Sequence, residues 1–174
     1  FGLDLTVDAG ATPGAKSLAL TVTDGEMRSG SGTSIALTIL QQTSPSFSAA
    51  SATPGTVTAG GSAHLSATVT PGTNPSSSGL AVTVDTSAVG GAAGTPMFDD
   101  GAHNDGAAGD NVFGLDITVG GATPAASYSL PIAVSDAQAR SGMGSIALDV
   151  TAGATPPSVS GTATPASVAV TDTT

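Results

Sequence analysis

The sequence predicts an all-β fold, built as a two-sheet sandwich that repeats in tandem. Three observations predict it. Apolar residues alternate with polar ones at a period of two, the signature of a strand with one buried face. Clusters of Gly, Pro, Ser, Asn and Asp with turn chemistry separate those runs. One stretch of text also occurs twice, as FGLDLTVDAGATPGAKSLALTVTDGEMRSGSGTSIALTI at 1–39 and FGLDITVGGATPAASYSLPIAVSDAQARSGMGSIALDV at 113–150.

The two copies begin at Phe1 and Phe113, an offset of 112 residues. A second echo has the same offset: PSFSAASATPGTVTAG starts at Pro45 and PSVSGTATPASVAVTD at Pro157. That period is domain-sized rather than solenoid-sized. The expected organisation is the C-terminal part of one repeat at 1–40, a complete repeat at 45–150, and the N-terminal strands of a third at 157–174. The partial copies lack a counterpart of residues 63–112, so 1–40 alone has unpaired strand edges and half a core. The expectation is that the polypeptide continues at both ends. The alternative is completion by another chain, which would join copies into a homopolymer through strand completion. The opening FGLDLTV reads as the interior of a strand and not as a signal peptide, which leaves a leader to lie upstream.

Within the complete repeat, two weaker strands are expected at 46–52 and 55–59, with Pro54 and Gly55 interrupting the pairing. Ala63, Leu65, Ala67 and Val69 then alternate with polar partners, as do Leu80, Val82 and Val84. A short strand is expected at 95–98. Phe113, Leu115, Ile117 and Val119 form the next run, then Tyr128, Leu130, Ile132 and Val134, then Ile146, Leu148 and Val150. TPGTNPSSSG, GGATPAAS and DAQARSGMG supply the turns. About seven strands in about 105 residues is the count and spacing of an immunoglobulin-like sandwich. The Cys…Trp…Cys pattern of antibody domains is absent. Val, Leu, Ile and Ala make a core that is adequate rather than generous, so a bound ion would add useful stability.

Composition narrows the functions. Thirteen acidic residues stand against three Lys and Arg, giving a net charge of −10. Such a chain has no basic patch for nucleic acid or for an anionic membrane surface. Only 9% of residues are charged, and Lys16 and Glu26 are the only Lys and Glu, which argues against helical surfaces. The absence of cysteine excludes disulfides, thiolate metal sites and cysteine nucleophiles. No apolar run approaches the roughly 18 residues of a membrane span. There is no Gly-x-Ser-x-Gly, no phosphate-binding loop and no His-Glu-x-x-His, so the repeat is not expected to be an enzyme.

One segment carries chemistry. Residues 98–113 read FDDGAHNDGAAGDNVF and hold Asp99, Asp100, Asp105 and Asp110, with Asn104 and Asn111 as neutral oxygens. Carboxylates crowded in a glycine-rich loop repel one another unless something positive sits among them. Hard oxygens in a flexible loop suit calcium, and the expected site is Asp99, Asp100, Asp105, Asp110 and Asn104. The competing reading is turn formation, since Asp and Asn side chains bond the local backbone. Asp85 and Asp116 are further acids that the sandwich could bring near. His64 is expected on the solvent face of its strand, opposite Leu65. Asp136 and Arg140 recur as Asp24 and Arg28, and read as a turn cap with a local ion pair, worth little if exposed.

The stretches TVTAGGSAHLSATVTPG, LAVTVDTSAVGG, MFDDGAHNDGAAGDNVFGLDITV, YSLPIAVSDAQARSG and SIALDV resemble the immunoglobulin-like repeats of large secreted bacterial proteins. The most specific part is the DDG…D…GD…F segment followed by the SDAQARSG hairpin. The resemblance implies a secreted or cell-surface bacterial location and neighbouring repeats of the same chain as partners. Three functions follow from it. The first is a structural stalk or filament stiffened by calcium. The second is a spacer in a secreted hydrolase such as a nuclease. The third is an adhesin module that binds carbohydrate or protein.

Overall fold

Period-two alternation becomes strands between Gly14 and Thr151. The structure is a computed structural model that describes residues 2, 4–8, 10–153 and 158–162. The first part holds β1 (Gly14–Leu18), β2 (Thr21–Thr23), β3 (Ser29–Ser31) and β4 (Ile35–Ile39). Eight strands follow: β5 (Ser46–Thr53), β6 (Thr56–Thr58), β7 (Ser62–Thr70), β8 (Ala81–Val84), β9 (Thr95–Met97), β10 (Val112–Thr118), β11 (Ala126–Ser135) and β12 (Ser141–Thr151). A single 3-10 turn, Ser87–Val89, is the one helical piece among the described residues. The strands expected at 157–174 lie outside the described residues, apart from 158–162, which carry none.

The eight later strands form two sheets. One has the order β10-β7-β5, the other β6-β12-β11-β8-β9. All neighbours run antiparallel except β6 beside β12. Alternation then sorts side chains by face. Ala63, Leu65, Ala67, Val69 and Phe113 point inward from the first sheet. Val82, Val84, Leu130, Ile132, Val134, Ile146, Leu148 and Val150 point inward from the second. Together they make one apolar core between two layers, a sandwich-like arrangement. Where β12 passes β5 the layers come very close. A Cβ on Gly144 would sit 2.9 Å from the Phe47 ring, so any larger residue there would have to displace the ring.

Phe98 and Gly114 exchange main-chain hydrogen bonds of 3.0 and 2.8 Å, which ties the end of β9 to β10 in the opposite sheet. The thirteen residues between Phe98 and Val112 must therefore fold back on themselves.

The first copy repeats the β11–β12 hairpin. β1 pairs with β4 and β2 with β3. Leu18 faces Ile35 as Leu130 faces Ile146, and Val22 faces Gly30 as Val134 faces Gly142. Corresponding residues of the two similar texts thus pair alike, with one extra residue in the first copy between Gly30 and Ile35. What differs is cover. Val22 is 67% exposed where Val134 is 1%, and Ile35 is 51% exposed where Ile146 is 0%. The text that forms β10 in the second copy forms no strand among residues 2 and 4–8. In the second copy β10 has β7 as its ladder partner, whereas residues 2 and 4–8 pair with no strand among the described residues.

These two faces separate in a mutational test. In urea melts followed by far-ultraviolet circular dichroism, Ile146→Ala is expected to cost about 2–5 kcal/mol, the range for a buried large-to-small change. Ile35→Ala is expected to change stability by no more than about 0.5 kcal/mol. Equal losses at the two positions would show that the first hairpin's apolar face is covered.

Candidate functional site: the acidic loop and the buried ion pair

The loop between β9 and β10 winds around Asp105, whose side chain is fully buried. Its Oδ2 accepts the main-chain N–H groups of Asp100 at 2.5 Å and Gly101 at 2.9 Å, and its Oδ1 accepts that of His103 at 3.1 Å. Asp99 does the same for the far limb. It accepts from Gly109 at 2.7 Å, Asp110 at 3.2 Å and Asn111 at 3.0 Å. Asp110 accepts from Ala107 and Val112, and Asp100 from Ala102. The His103 ring lies 2.9 Å from the Asp100 carboxylate and stacks on Phe98 with centroids 4.3 Å apart.

The backbone supplies the curvature. Gly101, Gly106 and Gly109 adopt positive φ, as do Asn104 (53°) and Asn111 (66°), the residue type that best tolerates that region after glycine. Electrostatics follow the same donors. The Gly101 N–H, with those around it, outweighs burial and holds the Asp105 carboxyl below the usual carboxylate range. The His103 side chain does so for Asp100.

The loop holds every residue of the expected calcium site, Asp99, Asp100, Asp105, Asp110 and Asn104, and its four carboxylates all accept main-chain N–H groups. Calcium takes six to eight converging oxygens. Here each of the four carboxylates turns to main-chain N–H groups in a different part of the loop. Among the described residues, no group of three or more His, Asp or Glu side chains converges as a metal site. Amide dipoles give each of the four carboxylates a positive partner. Asp85 and Asp116 stand apart from the loop carboxylates. Asp85 bonds the Ser87 N–H and hydroxyl, and Asp116 lies 2.8 Å from His64 Nδ1 across the β7–β10 ladder. His64 is half-buried, and its Nε2 is enclosed without a partner.

The second constellation is one that the sequence undervalues. Asp136 and Arg140 close the β11–β12 turn, as expected, but they are buried there. Asp136 Oδ1 accepts the N–H groups of Gln138 and Arg140, and its Oδ2 meets the Arg140 guanidinium at 2.7–2.8 Å. The guanidinium reaches further. Its Nη1 donates to the main-chain carbonyls of Thr43 at 2.7 Å and Thr73 at 2.9 Å, and Nη2 to the Ser77 hydroxyl. Ser77 in turn donates to Asp136. Burial alone would raise the Asp136 pKa, but the N–H donors of Arg140 and the Ser77 hydroxyl outweigh it and leave the carboxyl below its ordinary value. Asp24 and Arg28 build the same turn bond for bond, with Arg28 Nε on Asp24 Oδ2. There the guanidinium is exposed, and it pairs with Glu26 instead.

No protein-family profile matches the chain, and no curated protein matches it significantly.

The lowered carboxyls set an acid limit. A carboxylate whose folded pKa is depressed contributes its stability in full above the ordinary value of about 4, and loses it as pH falls through the depressed one. Melting temperature is therefore expected to be flat from neutral pH to about pH 4 and to drop below it. Asp105→Asn, which swaps one acceptor oxygen for a donor facing N–H groups, should lower the neutral-pH melting temperature and flatten the acid limb. An acid limb unchanged in that variant would show that Asp105 does not set the acid limit.

Proposed function

We propose that the chain is a segment of tandem immunoglobulin-like repeats from a bacterial secreted or surface protein, acting as a non-catalytic stalk or filament. The observation that carries the reading is the repeated hairpin: similar text, matching cross-strand partners and the same turn, 112 residues apart between Phe1 and Phe113. The strand order supports the fold name. β5, β7 and β10 take the places of strands A, B and E, and β8, β11 and β12 those of C, F and G. Tyr128, near the start of β11, donates to the Pro124 carbonyl four residues upstream at 2.9 Å, as in a tyrosine corner.

The exposed face of the first hairpin supports the domain division. Its apolar positions match those of a core, and the matching cover is text like 45–112. On this reading residues 1–40 belong to a sandwich closed by such a segment, from the same chain or from another copy. Stiffness within each unit comes from the amide-capped loop and the buried ion pair.

Two measurements test the reading. Electron microscopy of a chain carrying several complete repeats should show rods; compact globules would overturn the stalk. Melting temperatures in millimolar calcium and in excess chelator should coincide, because the loop carboxylates are already engaged. A calcium-dependent rise would return the ion to Asp99, Asp100, Asp105 and Asp110.

A further inference from the structure

We infer that the Asp136–Arg140 pair is a seat for the incoming linker, which locks the junction between successive repeats. The inference rests on the tandem-repeat reading and adds to it how one unit is held against the next.

The linker runs from the end of β4 at Ile39 to the start of β5 at Ser46. Its middle is fastened on every side. The Thr43 carbonyl accepts from Arg140, and the Thr43 N–H donates to the Thr73 carbonyl at 3.2 Å. The Thr43 hydroxyl accepts from the Thr73 N–H at 2.9 Å and lies 2.9 Å from the Thr73 hydroxyl. Asn74 Nδ2 donates to the Gln41 carbonyl at 2.6 Å. Pro45 is buried, and two glycines make room for the chain. A Cβ on Gly72 would fall against the Thr43 carbonyl, and one on Gly142 against the Pro45 carbonyl.

The consequence is a very short free span. Only Leu40, Gln41 and Gln42 lie between the last residue of β4 and the first fully seated one, and Gln41 is itself held. Three residues reach at most about 10 Å. A guanidinium suits the task because Nη1 donates to two carbonyls while the Nε and Nη2 edge stays on Asp136. An ammonium has no such edge. Asp136 keeps the buried cation paired, without which burial would be costly.

Spin-label distance measurements test this on the whole chain, which has no cysteine of its own. Labels at Ser34→Cys in the first hairpin and Ser129→Cys on β11 span the junction. The parent is expected to give one narrow distance distribution. Arg140→Lys should broaden it roughly two-fold, towards the behaviour of an unfastened linker. Asn74→Ala, which leaves the Asp136 turn intact, should broaden it less but in the same direction. Arg28→Lys, the same change at the matching turn outside the linker seat, should leave it unchanged. A broad distribution in the parent would overturn the seat, as would unchanged widths in both Arg140→Lys and Asn74→Ala, or equal broadening by Arg28→Lys. The two readings fail separately. Rod-shaped arrays with broad distances sink the seat alone, whereas narrow distances in globular arrays sink the stalk alone.

Discussion

Asp105 sits with both carboxylate oxygens against main-chain N–H groups, and the whole passage from β9 to β10 folds around it. That interaction recurs in several of the irregular segments of this chain. Asp99, Asp110, Asp136, Asp24, Asp85 and Asp8 all accept main-chain N–H groups in turns or loops. The chain has few alternatives. It lacks cysteine for cross-links and has too few large apolar residues to pin long loops by burial. A short carboxylate on a tight turn satisfies two or three donors at once, and charge-assisted bonds of this kind are stronger than neutral ones. Aspartate fits where glutamate would overreach, which agrees with twelve Asp residues against one Glu.

The sandwich supplies the frame on which those caps act. β9 and β10 lie in different sheets and are joined by the Phe98–Gly114 bridge, so the core fixes both ends of the acidic loop. The β11–β12 turn is placed in the same way, at a pole of the sandwich where the linker enters. The same Asp–Arg turn is an exposed local pair in the first copy and a buried junction in the second. Its intrinsic geometry is unchanged. The surroundings alone decide what the guanidinium reaches.

This contrast explains what the sequence could and could not reveal. The strands were legible because burial on one face of a sheet forces period-two alternation, and each expected run, from 46–52 to 146–150, has its strand within a few residues. The loop carboxylates were legible as a cluster but not in their role. Composition says that something positive must face them; it cannot say whether that is an ion or an amide. Arg140 was legible as a turn partner of Asp136, four positions away. Its bonds to Thr43 and Thr73 span 97 and 67 residues, a separation that no local pattern encodes. The signal that pointed towards them was indirect: Gly72 and Gly142, where glycine makes room for the backbone of a distant segment.

Thr43, which is held, and Arg140, which holds it, fall within a single period of the text. On the tandem reading, each unit therefore carries both halves of its own joint, and a new unit inherits a working joint when the stretch of gene that encodes it is duplicated. No neighbour has to be matched to its predecessor. Length can then grow or shrink by unequal recombination between copies, with no step at which a junction must be reinvented.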